Sequence, residues 1–202
     1  MDKEQAFRLL NKSILSLSKI PEELPKKLFE ICRIIKMKPK QHFLRAGQIP
    51  ENAGFNLNGI FRLYYIDDNG NEWTKGFSTP GKFLISYSAM VQDRPSYFNI
   101  ESVIETDILQ FRYAEWMNMV ESEMRWYPFL YKLLQNVYIM KEMREKSFLL
   151  DDATQRYNDF KRDYPDVDKE AKLYDIASFI GITPESLSRI RKKSKNNIGQ
   201  LQ

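Results

Sequence analysis

The feature that most constrains this chain is a run from Pro128 to about Leu150 that opens on proline and then contains neither Gly nor Pro. Proline is tolerated at the first helical position, and nothing after it interrupts a helix. A helix of about 23 residues is about 34 Å long, as wide as a small domain. It must run along the outside of one body or join two bodies, so it divides the chain into text before it and text after it. Leu130, Leu133, Val137 and Met140, with Leu134 and Ser147 beside them, form a stripe close to a heptad that Arg144 interrupts, while Lys141, Glu142, Glu145 and Lys146 cover other faces. Such a stripe suits a seam between two chains, with Leu130, Leu133, Val137 and Met140 as its contacts. Packing on the chain's own body is the competing reading.

Before the long helix the period of the sequence changes twice. Phe7, Leu10, Ile14 and Leu17 recur at helical spacing, and Pro21 and Pro25 lead into a second predicted helix, Lys26 to Ile35. From Met37 to Tyr113 the text becomes rich in β-branched and aromatic residues, punctuated by Gly, Pro and Asn-Gly. Asn69-Gly70, inside Asp67-Asp68-Asn69-Gly70-Asn71, marks a hairpin, because tight hairpin turns need positive φ. Ile100, Ser102 and Ile104 alternate as one face of a strand. Many short strands with frequent turns predict a sandwich or barrel. Helix resumes near Ala114.

After the long helix, Asp151-Asp152 offer an N-cap for a helix from Ala153 to Asp163, and YPDVDKEAKL reads as a polar connector. The segment LYDIASFIGITPESLSRIRKK, Leu173 to Lys193, then reads as two helices about a tight turn. Ile176, Ala177 and Ile180 are apolar at helical spacing, and Gly181 is the left-handed stop that reverses the chain. Thr183 is the next N-cap, Pro184 the first helical residue, and Glu185 lies in the first turn where it complements the helix dipole. Leu187 and Ile190 face inward, and Glu185, Ser186, Arg189 and Lys192 face outward. This is the spacing of a helix-turn-helix whose second helix enters the major groove. Arg189 could take guanine O6 and N7, and Glu185 could accept from a cytosine amino group. Thr183, Lys192 and Lys193 would meet phosphates. Glu185 and Arg189, at i and i+4, could instead pair on a solvated face.

Charge and rare residues narrow the function. The net charge is only +4, yet from Ser186 to Gln202 there are five basic residues and no acid, which points that end at a polyanion. With one Cys and one His, no internal disulfide or four-thiolate metal site can form. Cys32 sits in an apolar run as a buried thiol, and His42 stands alone in a strand, so no metal is expected. No phosphate loop or nucleophile elbow is present, and Asp67-Asp68 and Asp151-Asp152 are explained by a turn and a cap; no enzyme is expected. No stretch reaches the roughly 20 apolar residues of a membrane span, and the opening MDKEQAFRLLNKS has acids and no apolar export core, so a cytoplasmic location away from membranes is expected.

From about Lys38 to Lys193 the chain resembles the Crp/Fnr superfamily of bacterial transcription regulators. GIFRLYYIDDNGNEWTKGFSTPGKF resembles the family's barrel hairpin and Gly-x-Phe step, and ITPESLSRIRKK resembles its recognition helix. The resemblance implies an α+β chain in three parts. These are a double-stranded β-helix (jelly-roll) sensor domain of cyclic-nucleotide-binding type at 1–113, a connecting and dimerisation helix at 114–150, and a winged-type helix-turn-helix at 151–202. By position Glu185 and Arg189 match the family's base-reading pair, and Pro184 stands where many members have another Arg. Where cyclic-AMP-binding members have Gly-Glu and, some ten residues on, Arg-Ser, this chain has Ile85-Ser86 and Ser96-Tyr97. A buried phosphate without its counter-charge is costly to desolvate, so cyclic AMP is not expected and no cofactor is assigned. The degenerate pocket would comprise Phe83, Ile85, Ser86, Arg94, Ser96 and Tyr97, with any small-molecule effector left open. Only SKNNIGQLQ follows the recognition helix, so a reduced wing is expected. The implied function is a homodimeric regulator that binds a palindromic DNA operator without cyclic AMP, with RNA polymerase as a further implied partner. The alternative is a ligand- or protein-binding sensor of the same class that has lost DNA reading.

Overall fold

The computed structural model describes residues 1–199, with side chains through Lys193. Helices α1 (Lys3–Leu17) and α2 (Glu23–Glu30) open the chain. Strands β1 (Arg33–Met37), β2 (His42–Leu44), β3 (Asn52–Asn56), β4 (Phe61–Ile66), β5 (Glu72–Ser78), β6 (Phe83–Leu84), β7 (Asn99–Ser102) and β8 (Thr106–Arg112) follow, with the short helix α3 (Tyr87–Gln92) inserted after β6. They form two antiparallel four-stranded sheets, ordered β1-β8-β3-β6 and β2-β7-β4-β5, the interleaving of a jelly roll. Helix α4 (Tyr113–Ser122) and a 3-10 turn at Met124–Trp126 lead into the long α5 (Tyr127–Leu150). The chain ends with α6 (Ala153–Asp163), α7 (Pro165–Glu170), α8 (Leu173–Ile180) and α9 (Pro184–Gly199). Among the described residues no helix is long and apolar enough to cross a membrane.

Alternation along the strands separates two cores. On β1 and β8, Ile35 pairs with Ile108 and both join the roll interior with Phe61, Phe98 and Ile100. One residue along, Ile34 pairs with Leu109, and both face the helical layer. Successive strand side chains point to opposite faces, so this sheet is buried on both sides and β8 has only Arg112 exposed. Leu10, Ile14, Leu24, Leu28, Trp126 and Phe129 complete the helical layer. A third core, of Tyr157, Phe160, Val167, Ile176, Ala177, Ile180 and Leu187, holds the terminal helices together and also takes in Ile60 and Phe77 of the roll.

Three expectations are corrected. The second helix stops at Glu30, and Arg33–Met37 is strand rather than the end of a helix to Ile35. Adjacent β-branched Ile34 and Ile35 find cross-strand partners and a buried surface on each face of β8, which overrides the helical spacing of a short apolar run. The polar connector contains α7: Pro165 opens it, Asp166 and Asp168 sit in its first turn, and Val167 is fully buried. The tail expected as a reduced wing is helix through Gly199, and residues 200–202 lie outside the described residues.

The other sequence signals have direct counterparts. Gly70 has φ +81° at the tip of the β4–β5 hairpin. In β7, Ile100 and Ser102 are buried as the alternation requires, but the strand ends at Ser102, and Ile104 packs with the terminal helices. Asp152 caps α6 by accepting from the backbone N–H groups of Thr154 and Gln155 at 2.7 and 2.9 Å. Cys32 is partly buried with its thiol 3.1 Å from the Leu28 carbonyl, and burial pushes its pKa up to about 12, so it is held as an unreactive thiol. His42 places Nε2 3.0 Å from the Tyr64 hydroxyl, and burial lowers its pKa.

Candidate nucleic-acid interface

α8 reverses into α9 through Gly181, whose φ is +71°. The Ile182 N–H donates to the Ala177 carbonyl at 3.0 Å, the six-to-one bond of a Schellman turn, and it leaves the chain aimed back across α8. Thr183 Oγ1 accepts from the Ser186 N–H at 3.2 Å, which satisfies one of the donors left open where α9 begins. Leu187 is fully buried against Ile176, Ala177 and Ile180 and fixes the roll of α9 about its axis. That rotation exposes Thr183, Glu185, Arg189, Lys192 and Lys193 and leaves Ser186 half-buried. Among the described residues no ion pair joins Glu185 to Arg189. The backbone of α9's first turn holds the Glu185 carboxyl below its usual range, helped by Thr183 and by the field of Arg189.

Arg191, equally basic in sequence, points the other way. Its Nη2 donates to Asp168 Oδ1 at 2.5 Å and to the Asp168 carbonyl at 3.1 Å, and its Nε donates to the Tyr157 hydroxyl at 3.1 Å. It locks α9 onto α6 and α7 rather than presenting a charge.

The terminal helices rest on the roll through α8. The buried Arg62 of β4 donates from Nε to Thr74 Oγ1 at 2.9 Å, pairs with Glu72, and reaches Asp175 of α8 at 3.1 Å. β5 is a sheet edge, and its Thr74 N–H donates to Ser178 Oγ at 2.8 Å, so α8 covers a donor that would otherwise be open. Phe179 packs edge-on to Phe77, with ring centroids 5.5 Å apart. The last carbonyls of α8 are also capped: Arg144 of α5 donates to the Phe179 carbonyl at 3.1 Å, and Arg156 donates to the Ile180 carbonyl at 2.8 Å. A Cβ on Gly181 would lie 2.5 Å from Phe148 Cε1, so the end of α5 abuts the turn itself. Sequence reasoning did not find Arg62, Asp175 or the capping role of Arg144. The only local trace was Arg144 breaking an otherwise apolar stripe.

The residues grouped as an effector pocket do not converge. Phe83 and Ile85 face the helical layer, where Phe83 stacks on Trp116 at 6.0 Å. Ser86 and Ser96 are buried and bond each other, Oγ to Oγ at 3.0 Å, and Ser96 also donates to the Phe98 carbonyl at 2.8 Å. Arg94 and Tyr97 are exposed. Only the two serines come together, and each already has a partner.

Two of the four residues assigned to a dimer seam turn toward the chain's own body, and the other two, Val137 and Met140, remain exposed. Leu130 and Leu133 pack on the helical core, and Val137 and Met140 line a cleft beside β5. About a third of a turn round the helix lie Tyr127, Tyr131, Leu134 and Tyr138, spaced by four, three and four residues, all exposed.

No model of a known protein family matches the chain, and no curated protein matches it in sequence. Solved structures do match in shape. FixK2 of Bradyrhizobium japonicum superimposes with a TM-score of 0.72 at 13% identity, over 83% of this chain and 86% of that one. The c-di-GMP-responsive global regulator CLP of Xanthomonas campestris gives 0.67 at 14% identity, over 88% and 93%. A CooA mutant from Carboxydothermus hydrogenoformans gives 0.64 at 15% identity, over 84% and 79%. The chain shares the fold of these solved structures. At these identities it is a likeness of fold.

Proposed function

We propose that this protein is a sequence-specific, DNA-binding transcription regulator that acts as a homodimer on a two-fold symmetric operator and does not depend on cyclic AMP. The observation that carries the reading is the exposed edge of α9: Glu185 and Arg189, with no ion pair among the described residues, flanked by Lys192 and Lys193, on a helix that packs on its other side through the buried Leu187. Arg189 is suited to guanine O6 and N7, and Glu185 to a cytosine amino group. Thr183, Ser186, Lys192 and Lys193 supply contacts to phosphate. The second copy docks along α5. Its outward aromatic row of Tyr127, Tyr131, Leu134 and Tyr138 is the surface we assign to the seam, since so much apolar area left in water marks an interaction site. Independence from cyclic AMP is supported by the mutually bonded Ser86 and Ser96 and by the outward position of Arg94, which leave a phosphate no buried cation.

Pro184 and the clamp of α8 on β5 also fit a sensor that has stopped reading DNA, and one experiment separates the two. Selection of bound duplexes from a random pool by the full chain should enrich inverted repeats whose half-sites lie about 34 Å apart, one helical turn. Their affinity should fall linearly in log–log terms with salt. A selected pool no more ordered than the starting one would leave only the sensor reading.

A further inference from the structure

Beside β5 the inward face of α5, past the end of the roll, meets α6 and α8 around an open cleft of about 510 Å3. That volume is in the range of small-molecule sites. Its walls are aromatic. Phe77, Phe160 and Phe179 form a mutual cluster with centroids 5.5–6.0 Å apart, and Phe148 closes the α5 side.

The charges around these rings do not balance. Lys75, Lys141 and Lys146 line the cleft, and among the described residues none has a carboxylate partner. Arg144 lies over the Phe179 ring at 4.2 Å and finds only backbone carbonyls, those of Thr74, Lys75 and Phe179. The Lys75 ammonium sits 4.6 Å from the centroid of Phe98 with no hydrogen-bond acceptor. Burial lowers its pKa, and the neighbouring Lys141 and Arg144 lower it further. Of the acids at the rim, Asp159 and Asp163 are already held by Arg162, which leaves Asp151 at the far end of α5. Lys75 and Arg144, half-buried beside each other with the exposed Lys141 near, are a cost the fold carries on its own. An anion placed among them would remove it.

We propose that this cleft is a binding site for an organic anion with a flat apolar body, of the aromatic carboxylate class. The ring enters the Phe148–Phe160–Phe179 wall, and the carboxylate faces Lys75 and Lys141. Binding here would tie α6 and α8 to β5, but the proposal concerns binding alone and stands whether or not α9 reads DNA.

Calorimetric titration of the full chain tests it with three probes: 1-naphthoate, the neutral 1-naphthylmethanol, and acetate. Naphthoate should bind at least about tenfold more tightly than either of the others, since it alone satisfies both rings and cations. Lys75→Gln should weaken naphthoate by about tenfold while the melting curve stays that of the wild type. Lys141→Gln, on an exposed position of α5, should weaken it by less and carries the test if Lys75→Gln does not fold. Absence of naphthoate binding, equal affinity for the alcohol, or unchanged affinity in both variants would overturn the proposal.

Discussion

At the tip of the β4–β5 hairpin a single carboxylate collects its own set of donors. Asp67 accepts from the backbone N–H groups of Asn69 and Asn71 at 3.0 and 2.9 Å, from Asn71 Nδ2 at 3.1 Å, and from Trp73 Nε1 at 2.9 Å. These bonds, Trp73's foremost, hold its pKa down to about 2. A depressed carboxylate adds stability that is fully present above its unfolded pKa and is lost as pH falls through the folded one. Asp67→Asn should therefore be less stable than wild type in urea unfolding at neutral pH, with the gap closing as pH drops from about 4 towards 2. A gap independent of pH would refute this role. Asp67 was legible because Asn69-Gly70 fixes the turn. The outward position of Arg189 was legible too, since the Thr183 cap sets the helical phase. Arg62 and Asp175 were not, because their pairing spans the whole distance from β4 to α8 and no local pattern encodes it.

Elements were read well where their ends are chemically marked and less well where they are not. α6 and α9 begin at side-chain caps that the sequence displays, and both start where Asp152 and Thr183 place them. The α2–β1 boundary carries no such mark, and the periodicity of a short apolar run cannot tell helix from strand until β8 supplies a partner. α5 presents a different difficulty. Its length was plain, but apolar residues occupy both sides of it, so a heptad-like stripe through Leu130, Leu133, Val137 and Met140 does not say which side meets another chain. The structure packs Leu130 and Leu133 of that stripe on the body, leaves Val137 and Met140 exposed, and leaves the tyrosine row exposed as well. If the row is the seam, Tyr131→Glu combined with Tyr138→Glu should convert a dimer to a monomer in sedimentation equilibrium at micromolar concentration, because two buried like charges would face their copies. A monomeric wild type, or a double variant that stays dimeric, would contradict it.

For the whole molecule, the order of roll, long helix and helix-turn-helix could be read in advance, because each has its own period and punctuation. What could not be read was how they join. The Arg62–Asp175 pair, the Thr74–Ser178 bond and the Phe77–Phe179 contact seat the terminal helices on the roll by α8, and this seating leaves the α9 edge facing solvent. The same joint creates the cationic, aromatic cleft, which no linear motif announces. The orientation of α9 is thus a property of packing between parts, and the central claim is that this orientation serves DNA reading. Fluorescence anisotropy on a selected duplex, with each base pair of one half-site substituted in turn, tests it most directly. Wild type should lose about 1–3 kcal/mol at the base pair that Arg189 contacts, and Arg189→Ala should bind more weakly and no longer discriminate there. A wild-type protein that binds all the substituted duplexes equally, or an Arg189→Ala variant with an unchanged substitution profile, would contradict the account.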